Sequence, residues 1–99
     1  MKFVAVTACP TGIAHTYMAA EQLEKVAKKL GHAIKVETQG AMGIENELTA
    51  NDIRDADAAI FAVDIDVERR ERFDGKKIVQ VPVAHAIKNP KAVFEKLTL

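Results

Sequence analysis

Residues 6–20 read VTACPTGIAHTYMAA, and inside this stretch one period of the sequence gives way to another. Upstream, Lys2, Phe3, Val4, Ala5, Val6, Thr7 and Ala8 form a short run of β-branched, aromatic and small apolar residues that predicts a buried strand. Cys9, Pro10, Thr11 and Gly12 end the run and predict a loop. From Ala14 onward the spacing is helical, with Ala20, Leu23, Ala27 and Leu30 on one stripe and Glu21, Glu24, Lys25, Lys28 and Lys29 largely off it. The acids come early and the lysines late, which suits the helix dipole, and Gly31 is placed to cap the C-terminus.

Downstream the same alternation continues. Residues 33–38 set Ile34, Val36 and Thr38 against Lys35 and Glu37, a strand with one polar face and so expected near a sheet edge. Residues 39–47 contain Gly40 and Gly43 and read as a loop. Thr49 and Asp52 offer caps for a short helix ending near Asp55, and residues 58–63 form an apolar strand. A charged helical turn or two over residues 67–73, a turn at Asp74 and Gly75, and a fourth strand over residues 76–81 stopped by Pro82 complete the alternation. Pro90 suits the first position of a last helix burying Val93, Phe94 and Leu97. Strands alternating with helices predict a three-layer α/β/α sandwich of the flavodoxin-like kind, with a four-stranded parallel sheet in the order 2-1-3-4.

With 99 residues the chain has room for one domain, taken as residues 1–99. Lys plus Arg and Asp plus Glu number 14 each, so no general attraction to nucleic acid or an anionic membrane is implied, and any anion must be held locally. No run approaches the ~18 apolar residues of a membrane span, and residues 1–10 are too short and strand-like for a signal peptide, so a cytoplasmic location is expected. The three histidines have no metal-ligand spacing, and no metal site is expected.

The single cysteine has two readings: a buried small hydrophobe, or a nucleophile. In an open parallel sheet, ligands sit beyond the carboxyl ends of the strands where the order reverses, between the first and third predicted strands, and Cys9 ends the first. The loop and first turn that follow, Pro10, Thr11, Gly12, Ile13, Ala14, His15 and Thr16, bring backbone N–H groups and a helix dipole to one point, a cradle for a tetrahedral anion. That same field favours a thiolate, which makes Cys9 a candidate acceptor of a phosphoryl group. A thiol phosphatase of the low-molecular-weight type carries an arginine after five intervening residues; here that position is His15, and no Asp-Pro acid loop occurs. A CxxC redox pair is ruled out because its second position is Gly12.

The string CPTGIAHTYMAAE resembles the active-site segment of the fructose-family enzyme IIB components of the bacterial phosphoenolpyruvate-dependent sugar phosphotransferase system. The resemblance continues through KVETQGAMGIENELT and DADAAIFAVDIDVERRERFDGK into the final helix. It implies that Cys9 takes a phosphoryl group from a phosphohistidine of a IIA component and passes it to fructose, or a mannose-type relative, bound by a membrane IIC component. It implies a cytoplasmic domain reaching the inner membrane through IIC, monomeric in isolation, either free-standing or part of a longer polypeptide. No cofactor is expected on the chain itself, the phosphoryl group coming ultimately from phosphoenolpyruvate.

Around Cys9 several residues keep two readings. His15 either bonds the phosphate or is a helix-start residue at the surface. Tyr17, Gln39, Gly40 and Asp64 are candidates for the cleft or a partner surface; core packing is favoured for Tyr17, and helix capping over catalysis for Asp64 and Asp66. Glu68 to Arg72 reads as a solvated helix face. A thiol phosphatase and a regulatory binding module with an inert Cys9 stand as the alternative functions.

Overall fold

The computed structural model describes residues 1–9, 13–40 and 43–98. Along these run β1 (Lys2–Ala8), α1 (Ile13–Lys29), β2 (Ala33–Gly40), β3 (Gly43–Glu45), α2 (Ala50–Asp55), β4 (Ala58–Val63), a 3-10 turn (Arg70–Phe73), β5 (Ile78–Val81), α3 (Val83–Lys88) and α4 (Pro90–Thr98). The sheet order is β3-β2-β1-β4-β5. β1 pairs in parallel with β2, from Lys2 opposite Ala33 to Ala8 opposite Gln39, and with β4, from Phe3 opposite Ala58 to Ala8 opposite Val63. β4 and β5 are also parallel.

The expectation of a four-stranded, all-parallel sheet is corrected by β3, which runs antiparallel to β2 and makes the sheet mixed and five-stranded. Glycines hid it. Gly40 pairs with Gly43 at the end of the ladder where the chain passes from β2 to β3, and two residues without side chains interrupt the alternation by which a strand is read. The 39–47 loop is corrected on the same ground, since Gln39 and Gly40 finish β2.

Alternation along β1 divides the core into two. Phe3 and Ala5 face α1, α3 and α4 through Leu23, Ala27, Ala86, Val93 and Phe94, whereas Val4, Val6 and Ala8 face α2 and the 3-10 turn through Ile53 and Phe73. Leu23 is fully buried on the α1 stripe, and its truncation to alanine would cost about 2–5 kcal/mol. Leu30 lies off the core, because α1 ends one residue earlier in a Schellman arrangement. The His32 N–H donates to the Ala27 carbonyl at 2.8 Å and the Gly31 N–H to the Lys28 carbonyl at 3.1 Å, with Gly31 at φ 82°.

Two further elements differ from the sequence reading. The charged stretch 67–73 is helical only over Arg70–Phe73, preceded by Arg69 at φ 58°. The six residues between Pro82 and Asn89 form α3, too short for its periodicity to stand out. His32, just past the capping Gly31, is half-buried with its ring edge-on to Phe3 at 5.1 Å.

Candidate functional site

Cys9 follows the last residue of β1 and stands in front of α1, 5% exposed. The strand order reverses here: the chain leaves β1 through α1 to reach β2 on one side, and later returns through α2 to β4 on the other. A depression forms beyond the carboxyl ends of such strands. The Asp64 N–H donates to the Ala8 carbonyl at 2.9 Å, carrying the pairing of β1 and β4 one step past Val63.

Cys9 lines two cavities. The first, about 110 Å³, is also lined by Gln39 and Gly40 of β2, Gly43 and Ile44 of β3, and Ile65, Asp66 and Glu68 of the segment after β4. The second, about 270 Å³, brings Cys9 together with His15 of α1, Asp64, and Val83, Ala84 and Ile87 of α3. Of the expected cradle, Pro10, Thr11 and Gly12 lie outside the described residues, while Ile13, Ala14, His15 and Thr16 form the first turn of α1. The opening N–H groups of a helix, before its i→i−4 ladder begins, point out of its end, and the positive end of the dipole lies there. His15 is exposed, whereas Thr16 is buried with its carbonyl accepting from the Thr7 hydroxyl at 3.1 Å.

The favoured core-packing reading of Tyr17 is corrected. Its ring is 40% exposed, and its hydroxyl donates to the Glu45 carboxylate, joining α1 to β3. Asp64 caps a helix, though not the one that follows it in sequence: its Oδ1 accepts from the Val83 N–H at 3.2 Å, at the start of α3.

The solvated-face reading of residues 68–72 is corrected at Arg72. Its guanidinium donates through Nη1 to Glu37 Oε1 at 2.8 Å and through Nη2 to Glu37 Oε2 at 2.9 Å. Glu37 is wholly buried, in register with Val6 on the α2 face of the sheet, and also accepts from the Leu48 N–H at 2.9 Å and Gln39 Nε2 at 2.7 Å. Burial pushes this carboxyl up, but Arg72, the Leu48 N–H and the Gln39 amide outweigh it and hold it below its ordinary value. The strand alternation placed Glu37 on the polar face; nothing in the spacing tied it to Arg72.

Among the described residues, no three His, Cys, Asp or Glu side chains are placed to hold a metal ion, and no helix is long and apolar enough to cross a membrane.

A family profile described as "PTS system, Lactose/Cellobiose specific IIB subunit" matches residues 4–96. The chain is 54% identical over 96 residues to the "PTS system fructose-like EIIB component 2" of Escherichia coli (strain K12), covering 97% of this chain and 91% of that protein. It is 57% identical over 95 residues to the "PTS system fructose-specific EIIABC component" of Bacillus subtilis (strain 168), covering 96% of this chain and 15% of that one. A solved domain of a fructose-specific IIABC component from Borrelia burgdorferi superimposes with a TM-score of 0.92 at 49% identity, over 96% of this chain and 90% of that chain.

Proposed function

We propose, from the premise that this chain belongs to the fructose-like EIIB components of the sugar phosphotransferase system, that Cys9 is the residue on which it carries the phosphoryl group. A member of this family is a phosphotransferase and a phosphoryl carrier in sugar uptake. The observation that supports Cys9 is its position: the one cysteine of the chain stands at the strand-order reversal, between β1 and the N-terminus of α1, on the wall of both cavities.

The donor is a phosphohistidine of a IIA component. The Cys9 thiolate attacks phosphorus in line; the S–P bond forms as the N–P bond breaks, and the departing imidazole keeps the bonding electron pair. In the second step a hydroxyl oxygen of fructose or a related sugar, held by a IIC component, attacks the same phosphorus. The O–P bond forms, the S–P bond breaks, the hydroxyl proton passes to solvent or a base, and the thiolate is restored. Phosphoryl transfer of this kind needs positioning and charge stabilisation from the protein more than covalent help. The N–H groups of residues 10–16, proline excepted, would supply them, with His15 beside Cys9 and Gln39, Gly40 and Asp64 around the cleft. No cofactor enters either step. Residues 1–99 then act as one IIB domain, monomeric by itself, in the cytoplasm and brought to the inner membrane by IIC.

The test is intact-protein mass spectrometry after mixing the chain with phosphoenolpyruvate, the two general phosphotransfer proteins and a fructose-family IIA. Wild type gains one phosphoryl group and Cys9→Ser, equally well folded, gains none. An equal adduct on Cys9→Ser, or none on wild type with an active donor, would overturn the assignment.

A further inference from the structure

Residues 64–69, between β4 and the 3-10 turn, belong to no strand or helix, yet they form one wall of the smaller cavity beside Cys9. Side chains supply the bonds that hold this wall. The Gln39 amide pairs with the backbone of Glu68 much as one strand pairs with another: Oε1 accepts the Glu68 N–H at 2.8 Å, and Nε2 donates to the Glu68 carbonyl at 3.2 Å. Nε2 also donates to Glu37 Oε2 at 2.7 Å, so both amide hydrogens have acceptors. Arg72, locked on Glu37, reaches the Glu68 carbonyl from Nη2 at 3.2 Å and the Arg69 carbonyl from Nε at 2.9 Å.

Gln39 is 5% exposed and lies opposite Ala8, one residue before Cys9. The site requires a side chain with a donor and an acceptor on one planar group, and this an amide provides. A carboxylate there would lose the donor and face Glu37, and an apolar side chain would leave the part-buried Glu68 pairing unmade.

We propose that Gln39 is a positioning residue for phosphoryl transfer. By gripping the Glu68 peptide it fixes the distance between the end of β2 and the segment after β4, and with it the opening through which phosphorus reaches Cys9. The proposal rests on the reading of Cys9 as the acceptor. A displacement on the order of 1 Å in such a wall is enough to slow a reaction whose catalysis consists of alignment.

The experiment is rapid-quench measurement of phosphocysteine formation from a phosphorylated fructose-family IIA at varied IIA concentration, for wild type and Gln39→Met, each checked for folding by circular dichroism. The limiting rate of Gln39→Met falls about tenfold or more while the half-saturating IIA concentration stays within about twofold, the pattern of a group that acts in the transition state. Should Gln39→Met not fold, Gln39→Asn, whose amide is too short to span to Glu68, carries the same expectation. A folded variant with reduced melting temperature and a wild-type limiting rate would show a purely structural role and overturn the proposal; so would a change confined to the half-saturating concentration. Absence of any phosphocysteine on wild type would instead defeat the Cys9 assignment, and this inference with it.

Discussion

Glu37 and Arg72, 35 positions apart in the chain, meet in a two-pronged pair of 2.8 and 2.9 Å in which the carboxylate is fully buried and the arginine side chain 17% exposed. The pair ties β2 to the 3-10 turn, and through Leu48 to the segment entering α2. Removing one partner of a buried pair strands the other as an uncompensated charge, at about 3–5 kcal/mol. Arg72→Met is therefore expected to destabilise by about 3 kcal/mol, and Arg72→Lys, which keeps the charge but not the fork, by about half of that. Urea unfolding at unchanged slope measures both. A loss below about 1 kcal/mol for Arg72→Met would mean that the Leu48 N–H and Gln39 suffice to hold the carboxylate.

The same contacts set a pH dependence. Burial raises the Glu37 carboxyl, the surrounding donors lower it further, and the net position is below the ordinary 4.5. Because the folded value is the lower one, the unfolded chain binds more protons as acid is added, and stability falls with pH. Glu37's contribution is complete above 4.5 and is lost as pH drops from there through its folded value. Asp52, held down to about 2 by Lys35 Nζ at 2.7 Å and by the Thr49 N–H, loses its share between its ordinary 3.8 and about 2. Glu37→Gln should be less stable at neutral pH and show a shallower decline in acid than wild type. Parallel stability curves for the two proteins below 4.5 would remove Glu37 from the account.

Much of this was legible in residues 6–20, where a strand period hands over to a helical one and the only cysteine marks the join. The sequence reading reached the strand-to-helix join at which Cys9 stands, the Thr49 cap and the Pro90 helix start because each rests on neighbours in the chain. It missed contacts that close over distance. β3 has a glycine in its ladder and three residues in all, so it exists only by pairing with β2. Arg72 sits in a string of charges whose composition matches any solvated turn, and only the fold brings Glu37 beneath it. Tyr17 was expected inside because it is aromatic, but its hydroxyl finds an acceptor at the rim.

Tyr17 offers a clean spectroscopic prediction. The hydrogen bond it donates to Glu45, then the small loss of hydration, then the charge of Glu45 all favour the protonated phenol, which raises its pKa above the ordinary 10.0. The chain has one tyrosine and no tryptophan, so phenolate absorbance reports on this ring alone. Wild type should titrate above 10.0, and Glu45→Gln should bring the midpoint back toward it. Identical midpoints would show that α1 and β3 are not joined at this point in solution.

Asp64 joins the cleft to the core. Its carboxylate lines the larger cavity with Cys9 and His15, and it also accepts the Val83 N–H at the head of α3. Val83 and Ala86, both buried, are the residues through which α3 packs into the core. A side-chain acceptor at a helix start is worth about 0.5–2 kcal/mol, and α3, with six residues, has little intrahelical bonding to fall back on. Asp64→Ala should lose about 1 kcal/mol and speed hydrogen exchange at the amides of α3 before those of β4. Asp64→Asn keeps an acceptor oxygen in place and should restore slow exchange. Equal exchange in Asp64→Ala and wild type would place the stability of α3 in its packing alone, and leave Asp64 only its position in the cleft wall.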